Sequence, residues 1–278
     1  MAHALLSPSA SNIWLKCPGM PNLAKDIPYQ VSEAAANGTL VHQMVEAQLK
    51  DRLNNITLED YYLGKEENIE NIKILIDQSM IDCAKTYVDY VRQRQKELKG
   101  KLLIEERVSI EEISQNVWGT ADAIIIGKNR LVVCDLKSGK FPVDPKNNTQ
   151  LMIYGLGALS RYGNEDTTLE LTIVQPRSFS PDGPIRSWDI SAADLVDWGF
   201  GFLKEATVAC EREKPKLIFG NHCRFCVAKA NCPAYKDATK GEKNVYKRKV
   251  KKFNKNKKLK ILGRINIMRL FLRLELTK

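Results

Sequence analysis

The chain has 278 residues, a formal net charge of +10, 44% hydrophobic residues and 27% charged residues. This balance is typical of a globular protein of one or two domains with a sizeable core. No apolar run reaches the roughly 20 residues of a membrane span, and the N-terminus lacks the pattern of a signal peptide. We therefore expect a cytoplasmic protein that does not enter a membrane.

The positive charge lies in the C-terminal tail. The last 39 residues hold 15 of the 43 Lys and Arg residues and two of the 33 acidic residues, which leaves 28 basic and 31 acidic residues before Lys240. Net charge is therefore no evidence that the body binds nucleic acid. We expect residues 240–278 to form a flexible basic tail. Its role stays open between a DNA-tethering arm, a truncated further region and a chain end without a function.

Helices dominate the first hundred residues. The pattern predicts a short helix over 12–16, and Ser32 is a candidate N-cap for a second helix over Glu33–Arg52. Residues 53–67 read as a loop, and apolar residues near helical spacing predict a long helix over 69–99. We interpret the segment of about 53–100 as a helical insertion that serves as scaffold.

A predicted β-hairpin follows a strand over Leu102–Val108. The hairpin turns over 127–130, and its second strand, Leu131–Lys137, is an apolar run that ends in Asp-Leu-Lys. A helix, two strands and a last helix come next, over residues 149–161, 169–175, 186–190 and 191–213. This order predicts an α/β fold with a mixed central β-sheet flanked by helices.

Two carboxylates and an ammonium are expected to converge at the end of this hairpin. Side chains alternate along a strand, so Asp135 and Lys137 point the same way and Leu136 points into the opposite layer. Asp122, on the neighbouring strand, can reach the same edge. Carboxylate oxygens suit hard divalent ions such as Mg²⁺, and a lysine beside them can orient a water or neutralise a phosphate oxygen. The alternative is an Asp and a Lys that are solvated or paired with each other.

Other candidate residues surround this edge in the sequence. Alternation does not decide whether Glu105 or Glu106 of the preceding strand faces it. In Gly38-x-x-x-His42, a lone helical histidine is more often a surface or core residue. Gln150 and Tyr154 share a helix face, and by themselves they read as a capping amide and a core tyrosine.

Taken in order, these motifs resemble those of the PD-(D/E)XK nuclease superfamily, in the RecB-like branch that includes the Cas4 proteins and the AddB nuclease domain. The lead-in Ser7-x-Ser9 and Trp14-Leu-Lys-Cys17-Pro18 is similar too, and the resemblance runs from about Ser7 to Tyr235. It implies a restriction-endonuclease-like core over 1–239. It also implies a metal-dependent DNA nuclease, an exonuclease acting in recombination, repair or phage DNA processing.

The resemblance assigns metal ligands to the motif residues. Mg²⁺ or Mn²⁺ would be bound by His42, Asp122, Asp135 and the carbonyl of Leu136. Two departures from the family pattern are Ala121 in place of a proline before Asp122, and Asp135 in place of a glutamate. Neither removes a ligand, because an aspartate still offers carboxylate oxygens.

The resemblance also gives roles to three polar residues and names partners. Lys137 would orient the attacking water, and Gln150 and Tyr154 would hold the DNA strand. The implied partners are DNA, single-stranded or with free ends, and recombination or replication proteins. The rival hypothesis is a non-catalytic nucleic-acid-binding or assembly protein with a structural metal centre.

Three cysteines lie close together over 215–235. The spacing Cys223-x2-Cys226-x5-Cys232 presents thiolates as metal sites do, and grouped cysteines in a chain without an export signal more often bind metal than form disulfides. A fourth ligand is needed. The spacing leaves it open between Cys17, Cys210 and His222.

The resemblance implies a choice among these candidates. RecB-like nucleases of this type pair one cysteine near the N-terminus with three near the C-terminus around a [4Fe–4S] cluster, and Cys17 fits the first position. Four thiolates are the usual ligands of such a cluster. A link from Cys17 to Cys223 would close a loop of about 205 residues and contribute on the order of 5 kcal/mol by loop-closure entropy. A zinc site and unliganded thiols are the alternatives.

Overall fold

The structure is a computed structural model that describes residues 4–28 and 31–240. The described residues form two compact units, which divide between Lys216 and Leu217. The predicted basic tail lies outside the described residues, apart from Lys240. The boundary between the units falls shortly before the three clustered cysteines.

The first unit begins with a series of helices. In order, they are a 3₁₀ turn at Pro8–Ala10, α1 at Ser11–Trp14, α2 at Met20–Ala24, α3 at Glu33–Leu49, α4 at Leu58–Tyr62 and α5 at Gln78–Leu98. As predicted, Ser32 caps α3 by accepting a hydrogen bond from the Ala35 amide. Asp77 caps α5 in the same way, with the Met80 amide as donor.

The segment before α5 departs from the prediction. The predicted loop over 53–67 contains α4, and the predicted long helix over 69–99 begins only at Gln78. A hairpin of β1, Glu66–Ile69, and β2, Ile72–Leu75, instead spans the end of the predicted loop and the predicted start of the helix. Its turn residues Glu70 and Asn71 have φ of 49° and 67°, which is the left-handed pair of a two-residue hairpin turn.

The central sheet has five strands in the order β3-β4-β5-β6-β7. Their bounds are Lys101–Ile110, Ser114–Ile126, Arg130–Leu136, Thr168–Val174 and Ile185–Ser191. Neighbours pair antiparallel except β5 and β6, which are parallel. The parallel pair is joined through α6, Thr149–Tyr162. The predicted α/β class, with a mixed central sheet flanked by helices, is confirmed.

Helices cover both faces of this sheet, which explains the continuous apolar run of β5. Buried residues of α3 and α5 share one core with Val132, Cys134 and Leu136. On the other face α6 packs closely against β3. The glycine at position 157 permits this contact, since a Cβ there would lie 2.9 Å from the Cβ of Val108. After β7 the chain continues through α7, Ala192–Trp198, a π-helical turn at Gly199–Leu203 and α8, Lys204–Cys210.

In the second unit the cysteine segment is built from turns. Asn221–Phe225 is a 3₁₀ turn, and a helix follows over 233–240. In the part of the chain that the structure describes, no helix combines the length and apolar character needed to cross a membrane.

Candidate active site

The hairpin of β4 and β5 opens at the edge where the polar residues were expected. Ladder pairing ends at Ala123 and Cys134, one residue short of Asp122 and Asp135. Here Asp122 replaces the missing ladder bond, because its Oδ2 accepts a 2.7 Å hydrogen bond from the Leu136 amide. The side chain of Asp122 is therefore fixed between the two strands at their separating ends.

Asp135 and Lys137 point the same way, as strand alternation predicts. Lys137 Nζ lies 2.8 Å from Asp135 Oδ2. Gln150, in the first turn of α6, contacts both residues: its Nε2 donates to Asp135 Oδ1 at 2.8 Å, and its Oε1 accepts from Lys137 Nζ at 2.9 Å. The buried Oδ2 of Asp135 has the lysine beside it and no hydrogen-bond partner of good geometry.

The charges at this edge shift one another's proton affinities. Burial raises the pKa of Asp135, against the opposing attraction of Lys137. Burial is the largest influence and works to lower the pKa of Lys137, but the attraction and hydrogen bond of Asp135, together with the charge of Asp122, raise the pKa overall. Lys137 is therefore held as an ammonium, which can orient a water or stabilise an anion but cannot accept a proton.

His42 joins the same edge from α3. Its Nδ1 lies 3.3 Å from Asp122 Oδ1. Burial is the largest influence and works to lower the pKa of His42, but the attraction and hydrogen bond of Asp122, together with the charges of Asp135 and Glu105, raise the pKa to about 9. Gly38, one turn before, lets α3 approach the end of β5, because a Cβ there would lie 3.1 Å from Ser138 Oγ. The Gly-x-x-x-His spacing thus has a packing reason as well as a chemical one.

Glu105, rather than Glu106, is the residue of β3 that faces this edge. Its φ of 54° is in the left-handed region, and the ladder to β4 is interrupted between Ile104 and Glu106. Burial and then the negative charge of Asp122 raise the pKa of Glu105 to about 7. Glu106 instead accepts a 2.8 Å hydrogen bond from Arg161.

The ligand atoms of His42, Glu105 and Asp122 all lie within 4.8 Å of one another. A histidine with two carboxylates is a donor set that divalent metals accept. The observed group therefore keeps two of the expected metal ligands and adds Glu105. Asp135 stands beside it, engaged with Lys137 and Gln150, and Leu136 contributes its amide to Asp122.

Tyr154 lies one turn beyond Gln150 and is buried. Burial and then the charge of Asp135 hold the pKa of its hydroxyl well above the usual range. The N-terminal lead-in packs here too: a Cβ at Gly119 would lie 2.9 Å from Pro8 and 3.0 Å from the Tyr154 ring. Ser11 Oγ lies 2.6 Å from Thr149 Oγ1 at the start of α6. The lead-in motif thus supports the helix that carries Gln150.

The cysteines fall in both units. Cys17, the fourth-ligand candidate implied by the resemblance, is buried after α1 in the first unit. Cys210 is in the same unit, where its thiol donates to the Trp14 carbonyl at 3.8 Å. Burial, then Glu211, then Cys17 raise the pKa of Cys210 to about 12.

The second unit holds the other three expected ligands. Backbone hydrogen bonds run from Cys226 N to Cys223 O and from Cys232 N to Lys229 O, both 3.4 Å. The segment is thus a series of tight turns, and these turns contain the three cysteines. His222 is engaged with the backbone, since its Nε2 lies 2.9 Å from the Ile218 carbonyl oxygen.

The fold and this edge together define a class: a mixed-sheet α/β protein with a carboxylate, histidine and lysine cluster where two strands separate. The chain matches the family described as Protein of unknown function (DUF2800) over residues 3–273, and it belongs to that family. Among solved structures, the crystal structure of SSO0001 is similar at 16% sequence identity and a TM-score of 0.32. The match covers 81% of this chain and 96% of that one.

Proposed function

We propose that this chain is a metal-dependent deoxyribonuclease, an exonuclease that hydrolyses phosphodiester bonds in DNA recombination, repair or phage DNA processing in the cytoplasm. The observation that carries the proposal is the convergence of Asp122, Glu105, His42 and Asp135 with Lys137 at one edge of the sheet. This edge has more carboxylates than cations. A buried excess of negative charge is costly unless a cation compensates it.

The residues present fit a divalent metal ion. His42, Asp122 and Glu105 offer converging ligand atoms, and Asp135 and the Leu136 carbonyl complete the expected set. Bound there, Mg²⁺ or Mn²⁺ would lower the pKa of a water and stabilise the charge that develops on phosphorus. Oxygen ligands with one imidazole suit these ions.

The remaining residues would position the reactants. Lys137, held as an ammonium, would orient the attacking water. The oxygen of this water forms a bond to phosphorus and its proton passes to solvent, while the bond to the leaving oxygen breaks and that oxygen takes a proton from solvent. Gln150 fixes Lys137 and Asp135 relative to each other through its two hydrogen bonds. Tyr154, buried behind Gln150, would keep that amide in place against the DNA strand.

A nuclease assay with Mn²⁺ tests the proposal directly. We expect wild-type protein to shorten linear DNA with Mn²⁺ and not with EDTA, and Lys137→Ala to lose cleavage while it stays folded. Lys128→Ala is the matched control, because Lys128 is an exposed lysine in the turn at the other end of the hairpin. A wild type without Mn²⁺-dependent cleavage would favour the rival, a non-catalytic nucleic-acid-binding or assembly protein.

A [4Fe–4S] cluster on Cys17, Cys223, Cys226 and Cys232 is the proposed structural cofactor. The turns of the second unit would supply three thiolates, from Cys223, Cys226 and Cys232, and Cys17 of the first unit would supply the fourth. Four thiolates are the usual ligands of such a cluster.

The iron content tests this cofactor. Anaerobically purified protein should carry about four irons per chain, and Cys17→Ala should lose iron and become more sensitive to protease. Cys83→Ala is the control, since Cys83 is fully buried in α5. If the purified protein is colourless and contains zinc, the cofactor is zinc and not an iron–sulfur cluster. A Cys17→Ala variant with full iron content would exclude Cys17 as a ligand.

A further inference from the structure

Two phenylalanines stand out on the loops that follow β5 and β6. Phe141 is 84% exposed and Phe179 is 73% exposed, the highest values among the large apolar side chains of the described residues. An exposed phenyl ring forgoes the burial that normally makes this residue favourable. Two such rings on neighbouring loops therefore need a reason beyond folding.

The loops that carry these rings are held firmly. Gln175 is buried, and all four of its amide hydrogen-bonding positions are used: Nε2 donates to the carbonyls of Gly139 and Phe141, and Oε1 accepts from the Val143 amide and from Arg186. The Phe179 amide donates to the Lys140 carbonyl at 3.1 Å. The rings are thus presented by a fixed backbone, which lowers the entropy cost of binding to them.

Phe141 is connected to the candidate active site along the chain, and the loop of Phe179 is connected to it through the pairing of β5 with β6. Phe141 comes four residues after Lys137, a distance that extended chain spans in at most about 14 Å. The Lys137 amide donates to the Val174 carbonyl at 2.9 Å, and the clamping Gln175 follows Val174. A DNA strand with its phosphate at Lys137 would therefore have its next few nucleotides near these loops.

The charges around the rings indicate which ligand they suit. Lys140 is exposed and touches both loops, since it precedes Phe141 and its carbonyl binds the Phe179 amide. Asp144 and Asp182, farther along the same loops, are also exposed, so phosphates are expected at Lys140 and not beside these carboxylates. Aromatic rings next to a cation are the recognition elements of single-stranded nucleic acid.

We propose that Phe141 and Phe179 form a stacking platform for the nucleobases of a single DNA strand that leads to Lys137. This inference rests on the proposed nuclease function and specifies its substrate. Bases inside a duplex already stack on one another and offer no face to a protein ring. The platform therefore selects single strands and frayed ends over intact duplex.

Binding of DNA by uncleaving protein tests the platform. Full-length Lys137→Ala protein would be titrated, by fluorescence anisotropy, with a labelled 12-nucleotide single strand and with a blunt duplex of the same sequence. Adding Phe141→Ala or Phe179→Ala should weaken single-strand binding about tenfold for each ring and change duplex binding less than twofold. Phe141→Trp should keep the affinity. Phe202→Ala is the matched control, because Phe202 is 52% exposed on the π-helical turn.

The outcomes separate the platform from the nuclease. Single-strand affinity that stays within twofold in both alanine variants overturns the platform, and so does an equal loss for duplex. If wild type then still cleaves DNA with Mn²⁺, the nuclease proposal stands without the platform. Phenylalanine-dependent single-strand binding without any cleavage would support the platform and remove the nuclease.

Discussion

The sheet carries two buried carboxylate clusters, one at each end of β5, and they are balanced differently. At the start of β5, Glu170 of β6 accepts hydrogen bonds from Arg94, Arg130 and Tyr90. At the end of β5, the carboxylates of Asp122, Asp135 and Glu105 share one lysine and one histidine. The first cluster is neutralised by its partners, whereas the second still has a carboxylate in excess.

The proton affinities record the same contrast. Burial would raise the pKa of Glu170, but the hydrogen bonds of Arg94 and Arg130 lower it overall. Burial raises the pKa of Glu105 to about 7, and Asp122 adds to the rise. A buried charge that finds its partners within the chain stabilises the fold. A cluster whose charges lack such partners can bind a cation from solution. Our proposal places the reaction at this second cluster.

The largest expected effect comes from removing a charge at the end of β5, in the cluster with more carboxylates than cations (the excess cluster). Asp135→Asn should lower DNA cleavage by at least about 10²-fold, the scale seen when one preorganised electrostatic contact is lost. Its stability should change by less than about 1 kcal/mol, because burial already disfavours this charge. Cleavage rates with Mn²⁺ and urea unfolding of the same preparation measure both. Cleavage at the wild-type rate would take Asp135 out of the site.

The matched change at the Glu170 cluster should lower the stability and leave the cleavage rate unchanged. Glu170→Gln should cost about 2 kcal/mol at neutral pH, because it removes the buried carboxylate that pairs with the partly buried guanidinium groups of Arg94 and Arg130, and should leave the cleavage rate of folded protein unchanged. The folded-state pKa of Glu170 is lowered, so its contribution is present above its ordinary pKa and is lost as the pH falls. All four tryptophans lie in the first unit, so urea unfolding followed by tryptophan fluorescence reports on this cluster. Equal stabilities at neutral pH would contradict the assignment.

The smallest expected effect is a gain in stability when Glu105 is neutralised, whereas Glu170→Gln lowers the stability. Its pKa is raised from 4.5 to about 7, so the protein without metal loses stability as the pH rises through that window. In EDTA at pH 8, Glu105→Gln should therefore be more stable than wild type by about 1 kcal/mol, after a discount for partial exposure. The gain should vanish below about pH 4.5. Glu106→Gln is the control and should show no gain, since Glu106 contacts Arg161 and Tyr162.

The core of this arrangement could be predicted from the sequence because it depends on local rules. The apolar run of β5 and the two-residue period predicted a buried strand with Asp135 and Lys137 on one side. The one-turn spacing of Gln150 and Tyr154 placed them on one helix face. These relations follow from backbone geometry alone, and distant parts of the chain do not alter them.

The rest depends on local exceptions and on packing between distant segments. The choice between Glu105 and Glu106 stayed open in the sequence, because the left-handed φ of Glu105 interrupts the alternation of side chains along β3. The strand β2 was read as part of the long helix because Ile72 and Ile76 are four residues apart. Alternating isoleucines over 72–76, with Asn71 in the turn before them, were the available signal. No sequence period shows that the Asp122 side chain replaces a ladder bond to Leu136.

The most direct test of the central claim is a calorimetric titration with Mn²⁺ of wild type, Asp122→Asn and Glu170→Gln. The excess cluster is predicted to bind the ion, so wild type and Glu170→Gln should bind Mn²⁺ alike and Asp122→Asn should bind it at least about tenfold more weakly. Equal Mn²⁺ affinity in wild type and Asp122→Asn would contradict the account, because the ion would then bind elsewhere and not to the carboxylates at the end of β5.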